Sequence, residues 1–274
     1  MKPELCRAGL AVAMAAFAAL IGGCASSPSG TSAPPVIRQP DPPPPIKAPE
    51  VSPKDRAALH ADLGAGYYER GRMDVAIEEL TEAQTLDPTN PRIYNYFGLV
   101  YAMLGENAKA EQNFQRALSL APEDSDVRHN WGWYLCTHGR PRESISEFEA
   151  ALRNPLYRSP EIALINAGKC SAQAGDAAAA DQYLRRALAL KPGNPVAAYN
   201  LALLSYKNGR FEDARALMRF VMAADPPSSE ALYLGMCVER RLADKQSEQS
   251  YMAQLRNRYP NSAEARAIAT GACE

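Results

Sequence analysis

The chain has 274 residues with 30 basic and 31 acidic side chains, a formal net charge of −1, and this balance argues against the basic stripe by which proteins hold nucleic acid. Alanine is abundant and β-branched runs are few, so helices are expected to carry the fold. The patterns GxSxG, GxxxxGK[ST] and GxGxxG after a strand are not found, and no CxxC pair or HExxH joins His129, Cys136 and His138, so neither an enzyme, a cofactor, a small-molecule substrate nor a metal is expected.

The first segment, 1–23, reads as a signal peptide: Lys2 and Arg7 are followed by an apolar run from Leu10 to Ile21 that is too short for a membrane span of ~20 residues. It ends in Leu20-Ile21-Gly22-Gly23-Cys24, which resembles a bacterial lipobox, so Cys24 is the expected lipidation site and the first residue of the mature chain. Ala25 follows it, and by resemblance to lipoprotein sorting rules this favours the periplasmic face of the outer membrane. Residues 24–56 form the lipidated cysteine and a tether. Its prolines cluster from Pro34 to Pro53 and favour extended polyproline II at ~3.1 Å per residue.

From there a beat governs the chain. Gly71, Gly105, Gly139, Gly175 and Gly209 are spaced by 34, 34, 36 and 34 residues, and Pro88, Pro122, Pro192, Pro226 and Pro260 keep the same time. A period of 34 with this punctuation is the signature of the tetratricopeptide repeat, a helix–turn–helix unit that stacks into a protein-binding solenoid. The frame gives repeats at 57–90, 91–124, 125–160, 161–194, 195–228 and 229–262, then a cap helix within 263–274. The expected fold is all-α, a right-handed superhelical solenoid of six repeats plus the C-terminal capping helix.

Positions within the unit have physical roles. Position 8 (Gly64, Gly98) and position 20 (Ala76, Ala110) are small where the two helices cross closely. Positions 7, 11 and 24 (Leu63, Tyr67 and Leu80 in the first repeat) fill the space around that crossing. The glycine at position 15 permits the positive φ that ends helix A, and the proline at position 32 stops helix B. Two units depart from the pattern. Repeat three ends in Asn154-Pro155-Leu156-Tyr157-Arg158-Ser159-Pro160, two residues longer than usual. Repeat six has Ala243 at position 15 and Glu248 at position 20, with Met252 at position 24.

Cys6 leaves with the signal peptide and Cys24 takes lipid, leaving Cys136, Cys170, Cys237 and Cys273. The frame puts Cys136 and Cys170 on adjacent A helices, and Cys237 and Cys273 one unit apart across the last repeat and the cap. Disulfides Cys136–Cys170 and Cys237–Cys273 are therefore expected in an oxidising compartment; four buried thiols are the alternative.

Positions 2, 5, 9 and 13 of helix A face the groove. They include Asn95, Leu99 and Met103, His129 and Trp133, Ile165 and Lys169, Tyr199 and Leu203, and Tyr233. Aromatic and aliphatic side chains outnumber cations, so a basic clamp for a peptide carboxylate is not evident and an apolar protein-binding groove is, with Trp133 as its leading anchor. Some of these side chains could instead pack between helices. Asn130, Asn166 and Asn200, all at position 6, read as a feature of the repeat rather than a site.

Four stretches resemble the PilW/PilF type IV pilus biogenesis and stability lipoproteins. Asn130-Trp131-Gly132-Trp133-Tyr134-Leu135-Cys136 is similar to the family's N-x-G-x-[FY]-L-C, and Asn166-Ala167-Gly168-Lys169-Cys170 to its N-x-G-x-C. The turn Asn154-Pro155-Leu156-Tyr157 is the third, and Leu232-Tyr233-Leu234-Gly235 followed by Ser250-Tyr251 and Gln254-Leu255 the fourth. The resemblance covers the lipobox and roughly 57–262. It does not extend to the long proline tether or to Cys237 and Cys273. It implies a pilotin-like lipoprotein of the outer membrane that helps the pilus secretin reach, insert or assemble, or that stabilises pili. A repeat lipoprotein serving peptidoglycan enzymes, or outer-membrane protein assembly, would share the composition but lack the Asn-Trp-Gly and Asn-Ala-Gly-Lys-Cys pair.

Overall fold

A computed structural model describes residues 51–223, 226–270 and 273. The expected signal peptide, the lipidation site Cys24 and most of the tether lie outside the described residues. Among the described residues there are α-helices and no strands. Six helical hairpins follow one another: α1 (Pro53–Glu69) with α2 (Met73–Leu86), α3 (Pro91–Met103) with α4 (Asn107–Leu120), and α5 (Ser125–Thr137) with α6 (Pro141–Leu152). Then come α7 (Pro160–Gln173) with α8 (Ala177–Leu190), α9 (Pro195–Lys207) with α10 (Phe211–Val221), α11 (Ser229–Arg241) with α12 (Lys245–Arg258), and a closing α13 (Ala263–Thr270). Each A helix packs on its own B helix and on the A helices of adjacent repeats, the arrangement of a tetratricopeptide solenoid.

The first helix starts earlier than the frame placed it. Ser52 caps α1 by accepting from the Asp55 N–H at 3.1 Å, and Pro53 occupies the first turn. Proline is excluded from helix interiors but suits the first turn, where its missing N–H has no intrahelical partner to lose. Residues 53–56 therefore belong to repeat one and not to the tether.

The turn glycines adopt the left-handed conformation, as at Gly105 (φ +74), where the Glu106 N–H closes back on the Tyr101 carbonyl at 2.9 Å. At the helix crossings there is no room for a side chain: a Cβ on Gly98 would stand 2.8 Å from the Phe114 ring, and one on Gly168 2.7 Å from Leu184. Repeat six keeps this device one residue out of step. Gly235 lies against Tyr251, 2.9 Å from a hypothetical Cβ, so Tyr251 and not Met252 fills the crossing. Eight residues separate Gly235 from the turn residue Ala243, where seven separate Gly98 from Gly105. With 13 residues α11 is as long as α3, so both members of the crossing sit one residue early in the frame while the turn keeps its place.

Leu63 also departs from expectation, being 49% exposed. Its counterpart Phe97 is buried in a cluster with Ala61, Ala76 and Leu80 of repeat one. Position 7 thus packs on the preceding repeat, and among the described residues repeat one has none. Polar ties join the units as well: Arg92 with Asp62 at 2.5 Å, Tyr183 Oη donating to Glu149 at 2.5 Å, Arg210 with Asp181 at 2.8 Å, and Arg215 with the buried Glu239. In the long turn, Asn154 Nδ2 donates to Ser125 Oγ at 3.1 Å and its Oδ1 accepts from the Leu156 N–H at 2.9 Å. That holds Tyr157 beside His129 on α5, with ring centres 6.3 Å apart. Among the described residues no helix is long and apolar enough to cross a membrane.

Candidate protein-binding groove

The A helices bring the expected groove side chains onto one face of the stack, in two different states. Asn95, Leu99 and Ile165 are buried at 4, 7 and 5% exposure, so they form the floor between helices rather than contact surface. His129, Trp133, Tyr199, Leu203 and Tyr233 are half-buried, and Lys169 and Met103 are exposed.

The buried positions have a polar logic. Asn130 Nδ2 donates to Asn95 Oδ1 at 3.2 Å, and one repeat later Asn166 Nδ2 stands 3.3 Å from His129 Nε2. In repeats three and four, position 6 thus reaches position 5 of the repeat before. The ladder stops where position 5 becomes Ile165, which cannot accept, and Asn200 turns to its own Val196 carbonyl at 2.7 Å. An amide donating to Nε2 requires the neutral imidazole, and burial lowers the His129 pKa to about 4. Trp133 packs against both the cluster of Leu99 and Trp131 and that of Ile165 and Cys170, so its indole joins the two clusters. Tyr68 and Tyr96 flank the same region, with the Arg92 guanidinium 5.6 Å over the Tyr96 ring. Burial, then the neighbouring Tyr96 and Glu69, push the Tyr68 phenol up. Neither tyrosine falls at a nominal groove position.

Two clefts open further along. One, of about 440 Å³ between α7 and α9, is lined by Lys169, Gln173, Leu203 and Lys207 among others. The other, of about 290 Å³, lies between α9, α11 and α13, with Tyr199, Leu203, Tyr206, Glu230, Tyr233 and Glu264 on its walls. Burial first, then the charges of Glu230 and Glu264, raise the Tyr199 phenol. Lys207 stands at position 13 and was open to the same frame logic; Glu264 comes from α13, which the frame does not aim.

Cys136 and Cys170 meet with Cα atoms 5.9 Å apart, and Cys237 and Cys273 with 5.5 Å, spans that suit disulfides. Tyr206 Oη donates to the Cys273 carbonyl at 2.9 Å, so Cys273 is held next to the second cleft. Among the described residues, no group of histidine, cysteine and carboxylate side chains could hold a metal ion.

Models of the tetratricopeptide repeat match residues 64–105, 91–124, 129–195 and 171–235. The crystal structure of PilW, described as a widely conserved type IV pilus biogenesis factor, superposes with a TM-score of 0.73 at 31% identity, covering 77% of this chain and 97% of that one. The chain belongs to the PilW/PilF family. The type IV pilus assembly protein PilF of Pseudomonas aeruginosa is 26% identical over 205 residues, which is 75% of this chain and 81% of PilF. The solved structure of that species' PilF superposes at a TM-score of 0.73 with 24% identity, covering 80% and 99% of the two chains. Cellulose synthase operon protein C of Pseudomonas fluorescens is 28% identical over 191 residues, but these are 14% of its length, so that likeness is one of repeats. Membership in the PilW/PilF family makes the stack a tetratricopeptide scaffold related to type IV pilus biogenesis factors, whose working surface is a binding face.

Proposed function

We propose that this PilW/PilF-family chain is a lipoprotein anchored through Cys24 at the periplasmic face of the outer membrane, and that it binds a segment of the pilus secretin on its A-helix face, assisting secretin localisation and multimerisation or pilus stability. The observation that carries the reading is Trp133: a half-buried indole spanning two buried clusters is the kind of rigid aromatic anchor on which protein interfaces concentrate their energy. Pairing of Cys136 with Cys170 belongs to the same proposal. It locks the A helices of repeats three and four beside Trp133, and non-reducing peptide mapping checks it.

The test is a crosslinked pull-down from membranes with wild type and Trp133→Ala. Wild type should recover the secretin. Trp133→Ala should lose it and lower the amount of secretin multimer, with far-UV circular dichroism and lipidation unchanged. Normal multimers in that variant, or recovery of a cell-wall enzyme in place of the secretin, would overturn the reading.

A further inference from the structure

The two clefts of the C-terminal half meet at Leu203 and carry opposite charge. Lys169 and Lys207 line the first, where no carboxylate is found; Glu230 and Glu264 line the second, where no lysine or arginine is found. Other cations of these repeats are neutralised within the stack, Arg210 by Asp181, Arg215 by Glu239 and Arg240 by Glu248. Lys169, Lys207, Glu230 and Glu264 enter no ion pair among the described residues. Glu230 is kept ionised, its pKa lowered by its own backbone N–H and by Ser228 and Ser229 at the start of α11. Between the two charged ends the wall is apolar and aromatic, with Leu203, Tyr199 and Tyr233. Unpaired charges set beside low-dielectric walls attract a complementary partner and reject a like-charged one.

We propose that this part of the A-helix face selects by charge, taking an extended segment of a partner protein that carries an acidic, an apolar and a basic side chain in linear order. The apolar side chain sits at Leu203, the acid against Lys169 and Lys207, and the base against Glu230 and Glu264. A uniformly acidic or uniformly basic segment meets like charge at one end and is rejected. This selectivity rests on the reading of the A-helix face as a binding face and shares Lys169, Tyr199, Leu203 and Tyr233 with it, but a peptide of defined charge tests it without the secretin, so the two readings fail separately.

The test is fluorescence anisotropy of the mature chain with a capped, fluorescein-labelled peptide Asp-Asp-Ala-Leu-Ala-Arg-Arg. Saturable binding is expected, weakening about tenfold when either charged pair of the peptide is replaced by its amide or glutamine counterpart. The double variants Lys169→Gln with Lys207→Gln, and Glu230→Gln with Glu264→Gln, should each show the same loss. None of the four side chains is buried, so the variants are expected to fold, and circular dichroism verifies it. Absence of saturable binding, affinity unchanged in either folded double variant, or equal affinity for an all-acidic peptide would overturn the proposal.

Discussion

Repeat two and repeat six use the same hairpin to different ends. In repeat two, Gly98 lies under a Phe114 ring that is fully buried, and the turn glycine Gly105 sits in the left-handed conformation at no steric cost. In repeat six, Gly235 faces the half-buried Tyr251, the turn is made by Ala243 at φ +59, and a carboxylate, Glu239, is buried at 6% exposure against Arg215. An interior unit has neighbours on both sides to supply apolar contact. The last one has repeat five, to which Arg215 and Glu239 tie it, and the short α13, beyond which the Cys273 carbonyl accepts from Tyr206. Repeat two thus encloses its crossing ring completely, while repeat six leaves its crossing ring half in water and buries a charge beside it.

The sharpest way to break that contrast is to empty the two crossings. Phe114→Ala removes a fully buried ring and should cost about 3–5 kcal/mol. Tyr251→Ala, at a ring still partly in water, should cost less than half as much. Urea midpoints read by far-UV circular dichroism compare them, and equal losses would show the end repeat to be packed like the interior.

Next in size is a pH effect confined to the interior ladder. Burial holds the His129 pKa at about 4, against an unfolded value near 6.5. Between those values the unfolded chain takes up a proton that the folded chain refuses. Stability from this group is therefore complete above pH ~6.5 and falls as pH drops toward 4, by up to about 3 kcal/mol. His129→Asn installs the residue that repeat two already carries as Asn95, and it keeps an acceptor for Asn166. The difference in stability between variant and wild type should grow in the variant's favour from pH 7 to pH 4. A difference independent of pH would show that His129 is protonated as readily in the fold as outside it.

A smaller loss is expected at the terminal pair. Arg215→Ala leaves the buried Glu239 without its guanidinium, which costs about 1–3 kcal/mol. Replacing Glu239 with Gln in the same variant should recover part of the loss, since a neutral amide is less costly to bury. No recovery in the double variant would show that Arg215 acts by packing and not by charge.

These contrasts also separate what the sequence made legible from what it did not. The turn glycines and the crossing glycines have local jobs, so their spacing was enough to place the hairpins. The slip in repeat six was visible only by giving Gly235 and Tyr251, sixteen residues apart like Gly98 and Phe114, more weight than the turn at Ala243. Burial of Asn95, Leu99 and Ile165 depends on how closely the next A helix approaches, which a single-repeat frame does not contain. Tyr68 and Tyr96 join the groove region from positions the frame assigns elsewhere. Glu264 reaches the second cleft because α13 folds back on α11 and α12, a tertiary event with no periodic trace.

The smallest test concerns the turns alone, and it runs in both directions. Nothing lies within 4 Å of a Cβ placed on Gly105, so Gly105→Ala changes only the backbone preference. A left-handed φ burdens any residue with a Cβ, and the loss should be about 1 kcal/mol. Ala243 already bears that burden at φ +59, and Ala243→Gly should relieve it, offset in part by the greater freedom of glycine in the unfolded chain. The expected net gain is a few tenths to about 1 kcal/mol. If Ala243→Gly instead destabilises, the methyl group of Ala243 contributes contacts that outweigh its strain, and the terminal turn is held by packing in a way that the interior turns are not.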